Sequence, residues 1–207
     1  MPPATAPPPS RCDVLVVGAG PAGSACARQL ATAGLDVLLA DQHAFPRDKV
    51  CGDGLIPDSH AALRRLGVWD EVAALARHVG AVRCVGPRGG QVDVPGTLAV
   101  LPRRQLDHIL VRAAERAGAR LLAPLRFEAP LVEGGRVVGA RLQAGPRDQR
   151  QVHEIAARWV VLATGAVPQP LIAAGLCERH TPSGVALRGY VRHDGLARAG
   201  LPLQMVW

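Results

Sequence analysis

The sequence predicts an α/β fold built on a parallel sheet, and three observations carry that expectation. CDVLVV (Cys12 to Val17) and DVLLAD (Asp36 to Asp41) are apolar, β-branched runs of the kind found in strands covered on both faces. The stretch between them, PAGSACARQLATAG, is rich in helix formers, so a βαβ unit fits within about thirty residues and its crossover should be right-handed. Elsewhere apolar and polar residues alternate on either side of Gly/Pro turns, the pattern of antiparallel hairpins set into the sheet scaffold.

Taken in order, MPPATAPPPS reads as a disordered Pro/Ala tail over residues 1 to 10. The first helix has Pro21 at its start and Gly34 as its stop. DSHAALRRL, Asp58 to Leu66, fits a short helix with Asp58 as N-cap and Gly67 after it, and WDEVAALAR fits a second, with Asp70 and Glu71 at its positive end. VGAVRCVGPRGGQVDVP alternates around a Gly/Pro turn, which marks an insertion at about residues 79 to 100. RRQLDHILVRAAERAG is the clearest amphipathic helix: Leu106, Ile109, Leu110 and Ala113 recur at helical spacing, and Gly118 ends it. ARLLAP should return to the parallel sheet, and LRFEAPLVEGGRVVGARLQA should form a hairpin turning at Gly134-Gly135. After the polar loop GPRDQRQ, the run RWVVLATGA reads as a buried strand. Two further strand-like runs occupy Leu187 to Arg192 and the residues from Leu203 onward. The implied organisation is a tail at 1–10, a nucleotide-binding domain from 11–78 and 101–183, and partial substrate-domain strands at 79–100 and 184–207.

Composition excludes several functions. At 207 residues the chain can bury a core without metals or disulfides. The net charge of +7 rests on arginines dispersed along the chain, with Lys49 the only lysine, and aromatics make up 3%. A nucleic-acid groove would show a clustered basic stripe with stacking residues, so no nucleic-acid partner is expected. Cys12, Cys26, Cys51, Cys84 and Cys177 are odd in number and lack a CxxC pair, which gives neither a disulfide framework nor a metal site. No signal peptide or membrane-spanning stretch is legible, and a cytoplasmic location is expected.

GAGPAG, Gly18 to Gly23, matches GxGxxG and has the context that gives that match meaning: a buried strand before it, a helix after it, and Asp41 closing the next strand 18 residues beyond the third glycine. Gly18 permits the tight turn, Gly20 lets backbone approach a pyrophosphate, and Gly23 allows helix and strand to pack closely, with Pro21 and Ala22 completing the loop. The helix N-terminus offers N–H groups to phosphates. Asp41, followed by Gln42, can accept hydrogen bonds from a ribose diol and would repel a 2′-phosphate, so the nucleotide is FAD or NAD rather than NADP. A Rossmann-like FAD/NAD(P)-binding domain follows from these residues.

The GAGPAGS form, the Arg103-x-x-Leu106-Asp107 helix start and the VVLATGA strand together resemble FAD-dependent oxidoreductases of the glutathione-reductase and p-hydroxybenzoate-hydroxylase type. Within that superfamily, FPRDKVCGDGLIP and SGVALRGYVR look like the geranylgeranyl reductase family, which saturates isoprenoid double bonds. The resemblance implies FAD as cofactor, NAD(P)H as a possible external reductant, and a small hydrophobic substrate that would bring the protein into peripheral contact with membrane. It gives Gly18, Gly20 and Gly23 to the pyrophosphate loop, Asp41 to the adenosine ribose, Arg103 to the phosphate or adenine side of the cofactor, and Gly165 to the loop after the later strand. Arg103 keeps a second reading, a solvated arginine at a helix start, where the dipole disfavours it.

The same resemblance lays the segment Lys49-Val50-Cys51-Gly52-Asp53 beside the flavin, and Cys51 is the candidate catalytic residue. Three roles stay open for it: shaping the flavin pocket, taking part directly, or filling a turn held by Gly52 and Gly54. Lys49 could favour its thiolate only if the two are close in space. His60, His78, His108, His153, His180 and His193 lack a patterned carboxylate or serine partner and read as surface or capping residues. No GxSxG, HExxH or Walker A pattern supports a hydrolase or kinase. The resembled family continues into an aromatic pocket segment and a Gly-Asp motif that this sequence does not contain, so a missing C-terminal part and weak FAD affinity of the chain alone are expected. An aromatic monooxygenase or halogenase on the same scaffold is one alternative; a non-catalytic FAD-binding half that needs a partner chain is another.

Overall fold

The computed structural model describes residues 8–145, 150–181, 184–193, 195 and 203–207. In chain order the elements are β1 (Arg11–Val17), α1 (Pro21–Thr32), β2 (Val37–Ala40), β3 (Gly54–Leu55), α2 (Pro57–Arg65), α3 (Trp69–Leu75), β4 (Arg77–Val85) and β5 (Gln91–Val100). There follow α4 (Arg103–Arg116), β6 (Arg120–Leu122), β7 (Arg126–Glu133), β8 (Arg136–Ala144), β9 (Gln151–Leu162), α5 (Gln169–Ala173) and β10 (Leu203–Val206). They fall into two compact units, Met1–Arg47 with Asp107–Gly184 and Asp48–Leu106 with Val185–Trp207.

The first unit holds a six-stranded sheet in the order β6-β2-β1-β9-β8-β7. Its first four strands are parallel, and β8 and β7 are added antiparallel. The fold is therefore α/β with a parallel-rich sheet, as the βαβ reading requires. Continuous apolar runs suit β1 and β2 because both faces are covered. Val14, Val16, Val37 and Leu39 pack with Ala27 of α1 and with Val111 and Ala114 of α4, while Leu15, Val17 and Leu38 pack with Phe127, Leu142 and Ile155 on the opposite face. Each fully buried aliphatic side chain of this kind contributes about 1.5–3 kcal/mol. On α4, the four residues picked out by helical spacing, Leu106, Ile109, Leu110 and Ala113, are all buried.

Several local expectations are corrected. Of the tail expected at 1–10, residues 1–7 lie outside the described residues, and the carbonyl of Ser10 already accepts from the Ala156 N–H at 2.9 Å. The N-cap of α2 is Ile56, not Asp58, because Pro57 takes the first helical position, where its missing N–H costs nothing. Most of the polar loop GPRDQRQ, residues 146–149, lies outside the described residues. The strand through RWVVLATGA begins earlier, at Gln151, and is only partly buried, with Trp159 67% exposed. Leu187 to Arg192 is not a strand: Val185, Leu187 and Val191 stand exposed in irregular backbone.

The second unit holds a four-stranded sheet in the order β10-β4-β5-β3. The β4–β5 hairpin is irregular between Val79 and Ala81, where Ala81 faces Pro95, a residue that cannot donate to the ladder. Residues 48–78, assigned from the sequence to the nucleotide-binding domain, cluster with this sheet because Gly54 and Leu55 pair with Val100 and Ala99. His60, read as a surface or capping residue, is instead buried, bonded through Nε2 to the Leu55 carbonyl at 3.1 Å and stacked on Trp69. Among the described residues no helix is long and apolar enough to cross a membrane.

Candidate functional site

Register alone brings three chain segments to one edge of the first unit's sheet. Val17 pairs with Ala40 and with Leu162, so the residues that follow each strand, Gly18, Asp41 and Ala163, emerge side by side at the carboxyl ends. Ligands of open parallel sheets bind at this edge. Gly18 donates its N–H to the Ala40 carbonyl at 2.7 Å, and Ala163 donates to Val17 at 2.7 Å. Gly18 has φ +100°, and a Cβ there would lie 2.4 Å from the Ala163 oxygen. A Cβ on Gly23 would lie 1.8 Å from the Gly18 oxygen, so helix and loop touch backbone to backbone.

α1 opens from Gly20, which supplies no side-chain cap, and its first turn carries no acidic residue. An N-terminus left in this state suits an anion. Pro21 occupies the first helical position, Ala22 is exposed beside it, and Gly23 and Ser24 are buried.

Asp41 is 7% exposed at its side chain and is tied to this loop. Its Oδ2 accepts from the Ala19 N–H at 2.9 Å and from Arg47 at 3.4 Å, and its Oδ1 accepts from the His43 N–H at 2.9 Å. Arg47 also donates to Asp107 at 3.1 Å, where the Asp107 side chain is fully buried. One guanidinium thus spans two carboxylates from segments 66 positions apart, with its face over Phe45. Arg47 and Asp107 lie in motifs that assign them no role, and no motif marks His43. Long-range ion pairing leaves no periodic signal, although an arginine beside an aromatic in FPR could have drawn attention to Arg47. Gln42 is exposed, and Gly165, with φ +64°, lies in the loop after β9 with open space around it.

The remaining predicted residues belong to the second unit. Arg103, the first residue of α4, is 8% exposed, which removes the solvated reading. Asp53 bonds to its backbone N–H at 3.0 Å and so places a carboxylate at the positive end of the helix. Cys51 and Gly52 are exposed and Lys49 is half-buried. The cation placed on the Cys51 backbone is Arg188, whose guanidinium donates to the Cys51 carbonyl at 3.0 Å. By contrast, burial pushes the Cys12 thiol up to about 11 and raises Cys26 as well, which leaves both as unreactive packing groups.

A family model described as an FAD binding domain matches residues 11–182. The chain belongs to the FAD-binding domain family. Among the relatives of this FAD-binding domain, a menaquinone reductase of Mycobacterium tuberculosis is 40% identical over 188 residues, covering 86% of this chain and 44% of that protein. A digeranylgeranylglycerophospholipid reductase of Methanopyrus kandleri is 36% identical, covering 82% of this chain and 41% of that protein. Among solved structures, a geranylgeranyl bacteriochlorophyll reductase-like protein of Thermoplasma acidophilum superposes with TM-score 0.65 at 26% identity, over 81% of this chain and 42% of that one. A flavin-dependent brominase superposes with TM-score 0.70 at 26% identity, over 80% and 41%. The chain spans under half the length of these curated relatives.

Proposed function

We propose that this FAD-binding domain is part of an oxidoreductase that reduces C=C bonds of a hydrophobic, isoprenoid-like substrate. The observation that supports its cofactor part most directly is the uncapped α1 N-terminus behind a loop in which Gly18 and Gly23 leave no room for a Cβ, beside a carboxylate bonded to the loop itself. Such a cradle fits a dinucleotide: the Gly18–Gly23 loop and the α1 N–H groups would hold the pyrophosphate, and Asp41 the adenosine ribose. Arg47 would keep that carboxylate aimed. Gln42, Arg103 and Gly165 keep their proposed places near the cofactor, and Lys49, Cys51 and Gly52 theirs on the flavin side, as the family resemblance assigns them. When bound and reduced, FAD would supply the hydride, and the protein's part would be to orient the ring and exclude water.

The substrate class is inferred from relatives whose names specify menaquinone and digeranylgeranylglycerophospholipid reduction. NAD(P)H as the external donor, a cytoplasmic location and peripheral membrane contact complete the reading. The brominase superposition favours one second reading, an oxygen-dependent halogenase or monooxygenase. Anaerobic turnover separates them: a reductase adds two hydrogens to the alkene without oxygen, whereas the alternative gives no product. For the cofactor site, Gly20→Val should abolish FAD binding in a fluorescence titration, and unchanged binding would remove the pyrophosphate assignment.

A further inference from the structure

The segment LRGY, Leu187 to Tyr190, belongs to a motif that the cofactor site leaves unused, and within the second unit it meets the cysteine loop through its side chains. Asp53 is the hub. Its Oδ1 accepts from Arg188 at 3.0 Å and from the Arg103 N–H at 3.0 Å, its Oδ2 accepts from the Tyr190 hydroxyl at 2.7 Å, and its backbone carbonyl accepts from the Leu101 N–H at 3.0 Å. The same Arg188 nitrogen also donates to the Cys51 carbonyl at 3.0 Å, and the guanidinium lies over the Tyr190 ring, 4.8 Å from its centroid.

Packing does not restrain the glycines of this loop. A Cβ on Gly52 or Gly54 would meet nothing within 4 Å, so both residues bring backbone freedom with no neighbour to restrict it. Sheet pairing begins only at Gly54. On the other side, Val185, Leu187 and Val191 are exposed, while the Arg188 side chain is 19% exposed and Asp53 12%. In an otherwise solvated segment, the partly buried contact is the one Arg188 makes to Asp53. A charge-assisted bond in such partly dry surroundings is worth more than a surface pair, and removing the cation leaves the carboxylate uncompensated.

We propose that Asp53, Arg188 and Tyr190 form a latch that positions the Cys51 loop, with Arg188 fixing the Cys51 carbonyl and Tyr190 holding the second carboxylate oxygen. They are positioning residues. Their relevance to chemistry rests on the reading that places this loop beside the flavin, but the latch itself can be tested without cofactor.

Lys49 is the only lysine of the chain, so a lysine-specific protease has a single cut, after Lys49, inside the latched segment. Under native conditions, Arg188→Met should speed this cut by about tenfold or more, the loss expected of a hydrogen bond to a charged group. Tyr190→Phe should speed it less. The Asp53→Asn and Arg188→Met double variant should speed the cut by less than the product of the two single effects, because the two singles share the Asp53–Arg188 contact. An unchanged rate in Arg188→Met, or an increase that tracks a lowered thermal midpoint, overturns the latch. In the FAD-loaded protein, Arg188→Met should also shift the visible flavin band. A faster cut with an unshifted band keeps the latch and removes the loop from the flavin's side, so the two ideas fail separately.

Discussion

The glycine-loop edge of the first unit and the cysteine loop of the second solve the same problem, holding loop backbone in place, by opposite means. At the glycine edge, strand register does the work: Val17 opposite Ala40 and Leu162 delivers Gly18, Asp41 and Ala163 together, and contacts too close for a Cβ lock them. At the cysteine loop there is open space around Gly52 and Gly54, and a carboxylate with bonds to Arg188 and Tyr190 supplies the constraint. Backbone register tolerates no change at its contact points, whereas a side-chain hub can lose single bonds one at a time. The first site should therefore fail abruptly under substitution and the second by degrees.

The largest expected difference follows directly. Gly23→Ala sets a methyl 1.8 Å from the Gly18 oxygen, and the atom that must yield is backbone at the end of a central strand. Loss of soluble, flavin-binding protein is expected, whereas Gly52→Ala should change the urea midpoint little because its Cβ enters open space. Equal effects at the two glycines would erase the distinction. Next in size is Asp107→Asn. This change removes one carboxylate from a buried guanidinium that is 10% exposed, and should cost about 3 kcal/mol in urea unfolding. A cost near zero would mean that Asp41 alone satisfies Arg47.

The same contrast explains what could be read from the sequence. β1, α1 and β2 were legible because burial on both sheet faces writes itself as unbroken apolar runs, and the glycine loop because Gly18 and Gly23 answer to local backbone contacts. The hairpin at Gly134-Gly135 was legible from its turn, and the structure pairs Glu133 with Arg136 across it. Asp53, Arg188 and Tyr190 were not, since a hub joining positions 53 and 188 has no period and no fixed spacing. The run Leu187 to Arg192 misled for a related reason. Its apolar residues suggest a strand, but its polar residues Arg188 and Tyr190 are those that find partners. Arg103 was half legible: a cation at a helix start signalled a conflict with the dipole, and Asp53, which brings a carboxylate to that end, came from fifty residues away.

The smallest expected effect lies at alkaline pH, where each region should lose stability for its own reason. In the first, burial holds the Cys12 thiol protonated up to about 11, whereas an unfolded thiol titrates near 9.0. Between those values the native state binds more protons than the unfolded one, so stability falls as pH rises through the window. Cys26, raised by burial, contributes with the same sign. In the second region the Tyr190 phenol is raised chiefly by its hydrogen bond to Asp53, so it too loses stabilisation as pH rises, from an ordinary value of 10.0. Urea unfolding followed from below pH 9 upward should show a decline that Cys12→Val flattens from its onset and Tyr190→Phe only at its upper end. Because the two groups share no partner, the double variant should show the sum of the two changes. If Cys12→Val runs parallel to the wild type, the thiol is not held by burial, and the dry face of β1 is more open to water than its packing indicates.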